Sequence, residues 1–471
     1  MRKFIELGLL VLVAVGGCKV GQADVDTWQG TVKGPGKMVA VMQADKYDLE
    51  LRAYAALGLV QMERHDVDGV AELLTAMDKL DAPTRDKIIQ SLVPGLVKLM
   101  QTNLPPAGPT AEGAPPLQIR AKDAAFALIT YASPESRKVL TDAVVRWYTA
   151  DFNGRSLSGN YSAEQVVRAL GSAAATSLVD ALHARLPQQA LVKLAELIGQ
   201  VGDADAKKRA GQKLVAIEVE MRGDEFLKWL RAEIAQQLAG QAGADAQRID
   251  KAAKVNREKF IDEGAIPAMA HLADQPEVAA RLLAIAAARD PNLTERRTRA
   301  LQALQGKVHE DQLQQLLALA LDPSAPMAVQ DYAFDRVGDI RSPKAIAPMW
   351  PLVEDGEKQR QRWRAGELVL AIGGSSVLSE FFAKLPSKGE VKYEPEELEG
   401  YAARMGQMTP LPVSVAAAQL SSPNWWNRVI ALSFFQRKGT DADLPMMSRL
   451  LGDSAPCKGK NWEPGTTVGK V

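Results

Sequence analysis

Cysteine is nearly absent, with 2 in 471 residues, and histidine is scarce at 4. Two thiols make no disulfide framework. His65, His183, His271 and His309 are scattered, and none has a partner at metal-ligand spacing, so no metal or other cofactor is expected. Catalytic fingerprints of the HExxH, GxSxG, CxxC and dinucleotide-binding kinds are missing as well. Aromatic residues are only 6% of the chain, and Ala, Leu, Gln, Lys, Arg and Glu fill the stretches between turn residues, which favours helix over sheet. Neither sign of charge dominates: Lys plus Arg and Asp plus Glu are 57 each, so no overall field draws the chain to nucleic acid or to an anionic membrane. No small-molecule substrate is evident from any motif.

What the chain does have is helical punctuation. A chain of 471 residues is too long for one growing core, so several domains or an elongated array are expected. From Ala325 to Leu385 the sequence reads as one helix ending at Gly338, a second opened by Ser342 and Pro343 and running to Asp355, a third from Arg362 to Gly374, and a fourth to Leu385. Val329, Tyr332, Ala333 and Val337, then Leu368, Val369 and Ile372, recur at helical spacing, so each helix has a face to bury. Gly306, Gly338, Gly373, Gly406 and Gly439 are about 32 to 35 residues apart, the period of helical-pair arrays, and each is expected as a left-handed helix stop. Pro94, Pro267, Pro348 and Pro445 recur in similar surroundings and are expected to mark a shared kink. Asp66 is placed to cap the helix that follows it. Register is least defined between 151 and 263.

The first residues read as an address. MRK is a basic start, and Leu7 to Val15 is an apolar run too short to span a bilayer. Val15, Gly16, Gly17 and Cys18 resemble the bacterial lipoprotein signal. That resemblance implies cleavage after residue 17 and a lipid anchor on Cys18, and Lys19 resembles the sorting signal of outer-membrane lipoproteins. Residues 18–37 then read as the lipidated Cys and a flexible tether, and 454–471, rich in Gly, Pro and Lys, as a flexible tail in which Trp462 could dock. With Cys18 lipidated, Cys457 has no intramolecular partner. Asn103 to Pro116 reads as a disordered Pro-rich loop.

RAGELVLAIGG from Arg364, DRVGDIRSPKAIAPMW from Asp335, GAIPAM from Gly264 and RVIALSFFQRKGTDADLPMMSRLLGD from Arg428 resemble HEAT repeats of the bacterial, phycobilisome-lyase HEAT-like kind. The resemblance implies an all-α fold, an α-solenoid of helix pairs over 38–453. Two stretches stand out as candidate partner contacts: Arg362, Trp363 and Arg364 within KQRQRWRAG, and the pair Trp425 and Trp426, since aromatic and Arg residues dominate binding hot spots. The same residues also suit helix faces that bury a Trp between repeats. The expected function is a non-enzymatic protein-binding scaffold, lipid-anchored in the cell envelope and facing the periplasm. The rival reading is a lyase-type enzyme with acidic and Arg residues in a groove.

Overall fold

The computed structural model describes residues 19–62, 64, 66–101, 116–239, 245–387 and 391–471. The signal segment with Cys18, His65, and the expected loop apart from Pro116 lie outside them. Close packing divides the chain into two units, residues 1–182 with 197–207, and 183–196 with 208–471.

The first unit holds α1 (Gln22–Gln29), α2 (Gly34–Gln43), α3 (Leu49–Val60), α4 (Gly69–Asp78), α5 (Ala82–Gln101), α6 (Leu117–Leu128), α7 (Pro134–Thr149), α8 (Phe152–Arg155), α9 (Ala163–Leu170) and α10 (Ser172–Ala181). Helices α1, α3, α5, α7 and α10 stack in one layer, and α2, α4 and α6 in another. Short polar side chains start several of them: Asp48 accepts from the Leu51 N–H, and Asp68 from those of Val70 and Ala71. Asp68 therefore holds the capping place expected of Asp66, which instead pairs with Arg64.

Two helices, α11 (Gln188–Val201) and α12 (Ala204–Arg222), contain the boundary between the units. The second unit continues with α13 (Asp224–Gln237), α14 (Ala246–Lys259), α15 (Ile266–Ala270), α16 (Pro276–Ala286), α17 (Thr294–Ala303), α18 (Leu313–Ala320), α19 (Met327–Ile340) and α20 (Ile346–Val353). It ends with α21 (Gln359–Gly373), α22 (Leu378–Lys384), α23 (Pro395–Met405), α24 (Val413–Gln419), α25 (Trp425–Lys438) and α26 (Leu444–Met447). Helices α15, α17, α19, α21, α23 and α25 stack in sequence as one layer, each returning through a short helix of the other. The fold is thus all-α, an α-solenoid arrangement of stacked helix pairs. Among the described residues the sole β feature is an isolated bridge between Pro456 and Thr467.

The repeat markers work differently from their expected roles. Gly338 lies inside α19, which runs on to Ile340 and stops at Arg341 in the left-handed conformation, φ 54°. A side chain on Gly338 would approach Leu368 of the next layer helix, so that glycine serves packing between helices. Gly374, not Gly373, carries the positive φ, and Gly306, also at positive φ, lies two residues beyond the α17 cap at Leu304. Pro94 lies within α5, and Pro267 follows a π turn over Phe260–Ala265 that makes room for its missing N–H. Pro348 and Pro445 occupy first turns, where a proline costs nothing, so the prolines share no common kink.

Both expected flexible ends are built structure. Residues 22–29 and 34–43 are helical, with Val25, Gly34 and Pro35 buried, so the chain after Lys19 contributes a helix to each stacked layer rather than a tether. The segment 454–471 follows α26 where a further layer helix would come, and it folds back over α25 with Val468 fully buried.

Candidate functional site

Arg362 sits on the face of α21 that also carries Ala365 and Val369, three and seven residues on, and that face is the buried one. Its guanidinium is fully enclosed with the Glu397 carboxylate of α23. Nε donates to Oε1 at 2.7 Å and Nη2 to Oε2 at 2.8 Å, the two-pronged geometry that suits Arg to carboxylates. The other N–H groups reach the carbonyls of Asp355, Gly356 and Lys392, and the Tyr393 ring lies 4.3 Å from the guanidinium carbon. The Tyr401 hydroxyl stands 2.9 Å from Glu397 Oε1 and 3.1 Å from the Arg362 carbonyl. Gly366 is required beside it, since a Cβ there would lie 2.6 Å from the Tyr401 ring.

Burial opposes both charges of this pair. For Arg362 the loss of solvent is outweighed by the hydrogen bonds and charge of Glu397, which hold the guanidinium above its ordinary value. For Glu397 the loss of solvent wins and raises the carboxyl despite Arg362.

Trp425 and Trp426 open α25 and are 8% and 7% exposed, so neither offers the surface that the expected partner contact needs. Trp426 stacks on Tyr393 at 5.0 Å between centroids, and Trp425 meets Tyr393 and Trp462 edge-on. Trp462 completes the cluster by donating its indole N–H to the Tyr393 carbonyl at 2.7 Å. Buried Glu394 accepts the Lys460 and Asn461 N–H groups at 2.9 and 2.8 Å. Four of the sequence candidates thus fall near one another: Arg362, Trp425 and Trp426 inside this hub, and half-buried Trp363 against Gly400 of α23. Arg364 points the other way and pairs with Asp335 of α19. Neighbouring Arg360 pairs with Asp331 of the same helix. The candidate contacts at Arg362, Trp425 and Trp426 are therefore corrected to internal struts.

One open feature of this unit is a groove of about 790 Å³ across the C-terminal ends of α19, α21 and α23. Its walls carry charge of both signs, including Asp335, Asp339, Arg341, Arg364, Glu367 and Arg404. Asp339 is held by the Arg336 side chain at 3.0 Å and the Gly306 N–H at 2.9 Å. Arg341 is exposed, and its left-handed backbone fixes where it leaves the helix end. Cations near helix C-termini also balance the carbonyl dipoles there.

Sequence reading passed over Lys122, Asp123 and Glu218, all buried charges. Their helices look ordinary in sequence; only an apolar neighbourhood at i±3 and i±4 signals them. His183 and His271 are lowered chiefly by burial, which leaves both imidazoles neutral at pH 7. Cys457 is a half-buried free thiol whose burial pushes it up to about 11, so it is protonated at neutral pH. Among the described residues no group of three His, Cys, Asp or Glu side chains could hold a metal ion.

No family model matches the chain, and no curated protein matches it. Among solved structures it is similar to a mutant of the karyopherin Kap121p, at 11% identity over 88% of this chain and 48% of that one, with TM-score 0.27. It is also similar to Kap121p bound to the SUMO protease Ulp1p, at 12% identity over 92% of this chain and 44% of that one, with TM-score 0.30. The chain spans less than half the length of each of these two structures.

Proposed function

We propose that this protein is a non-enzymatic scaffold that binds another protein through the groove at the ends of α19, α21 and α23. The groove supports this reading because it crosses three stacked helices and offers ion pairs of both signs beside the exposed Arg341, a surface suited to a polypeptide rather than to one small substrate. The lyase-type alternative needs a reactive acid and Arg open to a substrate. In the groove the acids Asp335, Asp339 and Glu367 are instead each tied to an Arg, namely Arg364, Arg336 and Arg404, and the buried Glu397 and Arg362 are sealed with their hydrogen-bonding groups engaged. The same proposal holds the protein at the bacterial outer membrane by acyl chains on Cys18, on the periplasmic side. One chain gives only marginal attachment at about 0.8 kcal/mol per buried methylene, so two or three make a stable anchor.

Affinity capture from intact membranes, compared between the native chain and an Arg341→Glu, Arg404→Glu variant, tests the groove. The partner should be lost from the variant while its helical content stays unchanged; equal capture would refute the groove as the binding surface. Intact mass tests the anchor separately, with a mature N-terminus at Cys18 carrying acyl mass as the expected result and any other N-terminus contradicting it.

A further inference from the structure

A second, smaller cavity in the same unit has a different chemistry. Arg222 of α12, Arg281 of α16 and Arg296 of α17 converge on a space of about 110 Å³ whose remaining wall is Ala284, Ile285, Ala288 and Leu293. No carboxylate lines it. The three guanidiniums are set from behind: fully buried Glu218 accepts from Arg222 Nε through one oxygen and from Arg281 Nε, at 2.8 Å, and Nη2 through the other. Arg296 gives Nε to Asp262 at 2.6 Å and Nη2 to Glu258 at 2.6 Å and to Asp262 at 3.0 Å.

This arrangement leaves donors and charge over. Among the described residues, both Nη atoms of Arg222 and the Nη1 atoms of Arg281 and Arg296 donate to no protein acceptor. Glu258 is shared with Arg257, so four guanidiniums face three carboxylates, and a single carboxylate serves both Arg222 and Arg281. Three side chains from three helices, each oriented by an acid behind it and each with an unused N–H, form a preset cation cluster beside an apolar wall. Guanidinium N–H groups recognise oxyanions by such oriented donation.

We infer that this cavity binds a tetrahedral oxyanion of the phosphate class. Donors arriving from three helices call for acceptors pointing in three directions, which a phosphate presents and a planar carboxylate with two oxygens does not. The space also matches: at about 30 Å³ per water, it holds a few waters or one such ion. This site is distinct from the protein-binding groove and does not depend on it.

The test is titration calorimetry of the mature full-length chain with sodium phosphate at constant ionic strength, with sodium acetate and sodium chloride as parallel titrants. Saturable phosphate binding is expected, weakened at least tenfold in Arg222→Gln and in Arg281→Gln and unchanged in Arg360→Gln, whose pairing with Asp331 lies outside the cavity. Each single Gln variant leaves Glu218 one Arg partner, so the fold is retained, which circular dichroism checks. Arg281→Lys keeps the charge while losing the fork, and weaker phosphate binding by that folded variant is also expected. No saturable phosphate heat up to tens of millimolar, equal binding by Arg281→Gln, or acetate binding as tight as phosphate would each overturn the inference.

Discussion

Lys122 in the first unit and Arg362 in the second are both fully buried cations, but they organise different kinds of chain. The Lys122 ammonium is a compact charge within reach of Asp123, the Tyr148 hydroxyl at 2.9 Å, and the carbonyls of Ser158 and Tyr161 at 2.8 and 3.1 Å. It gathers an irregular loop onto α6, and Asp123 adds the Asn160 N–H at 2.9 Å. Gly159, at φ +82°, lets that loop pass, because a Cβ there would lie 2.6 Å from the Asp123 carboxylate. Arg362 is a rigid fork, and it fixes the orientation of one helix against another. The electrostatics differ in the same way. Burial lowers Lys122 more than Asp123 restores it, whereas Glu397 more than offsets the burial of Arg362. A point charge can collect scattered carbonyls at a net cost to its own ionisation; a fork with a matched carboxylate keeps its charge.

The comparison is broken most severely by removing one side of the fork. Glu397→Leu strands a buried guanidinium and should destabilise the second unit by about 3–5 kcal/mol, read as a lowered midpoint in denaturant. Lys122→Met should cost about 2–3 kcal/mol in the first unit, since Asp123 keeps its Asn160 N–H while the Ser158 carbonyl is left unsatisfied.

That second variant also carries the pH signature. The folded-state value of Lys122 lies below its unfolded value of 10.5, so between the two the unfolded chain binds more protons, and the Lys122 contribution to stability rises with pH. The stability of the native chain relative to Lys122→Met should therefore grow as pH approaches 10.5 from below. A flat difference would mean that the ammonium is not desolvated.

Smaller effects are expected at the rim. Trp462→Ala removes a half-buried indole and its hydrogen bond to Tyr393, at about 1–2 kcal/mol, and should shift the emission of Trp425 and Trp426 to the red as the tail detaches. Arg437→Ala breaks an exposed pair with Glu399 at 3.4 Å and should change stability by less than about 1 kcal/mol.

Much of the helical order is legible in the sequence because it is local. Ser342 and Pro343 start a helical turn as their residue types require, and the spacing of Val329, Ala333 and Val337 correctly marks a buried face. The inward turn of Arg362 is legible in retrospect, since it shares its face with Ala365 and Val369 while Arg360 and Arg364 point away. Its partner Glu397 is 35 residues distant, and no local pattern announces that contact. Trp425 and Trp426 precede Val429 and Ile430 at i+4, which is the signature of core. The tail resisted reading for a different reason: it is held by backbone N–H groups on Glu394, by one indole and by Val468, none of which creates a period. Glycine spacing falls near the helix ends but does not give their geometry, because the positive φ is at Arg341 and Gly374 rather than at Gly338 and Gly373, which keep the period.

The central claim is that the charged and aromatic stretch around Arg362 is an internal strut of the second unit. A double-mutant cycle tests it most directly: unfolding free energies of the native chain, Arg362→Met, Glu397→Leu and the double variant. If the pair is buried and mutually dependent, each single change is severe and the double variant recovers more than half of the summed loss, because two apolar side chains replace a matched ion pair at little net cost. Additive losses, or single changes within about 0.5 kcal/mol of native as at an ordinary surface site, would contradict it and return Arg362 to the protein surface.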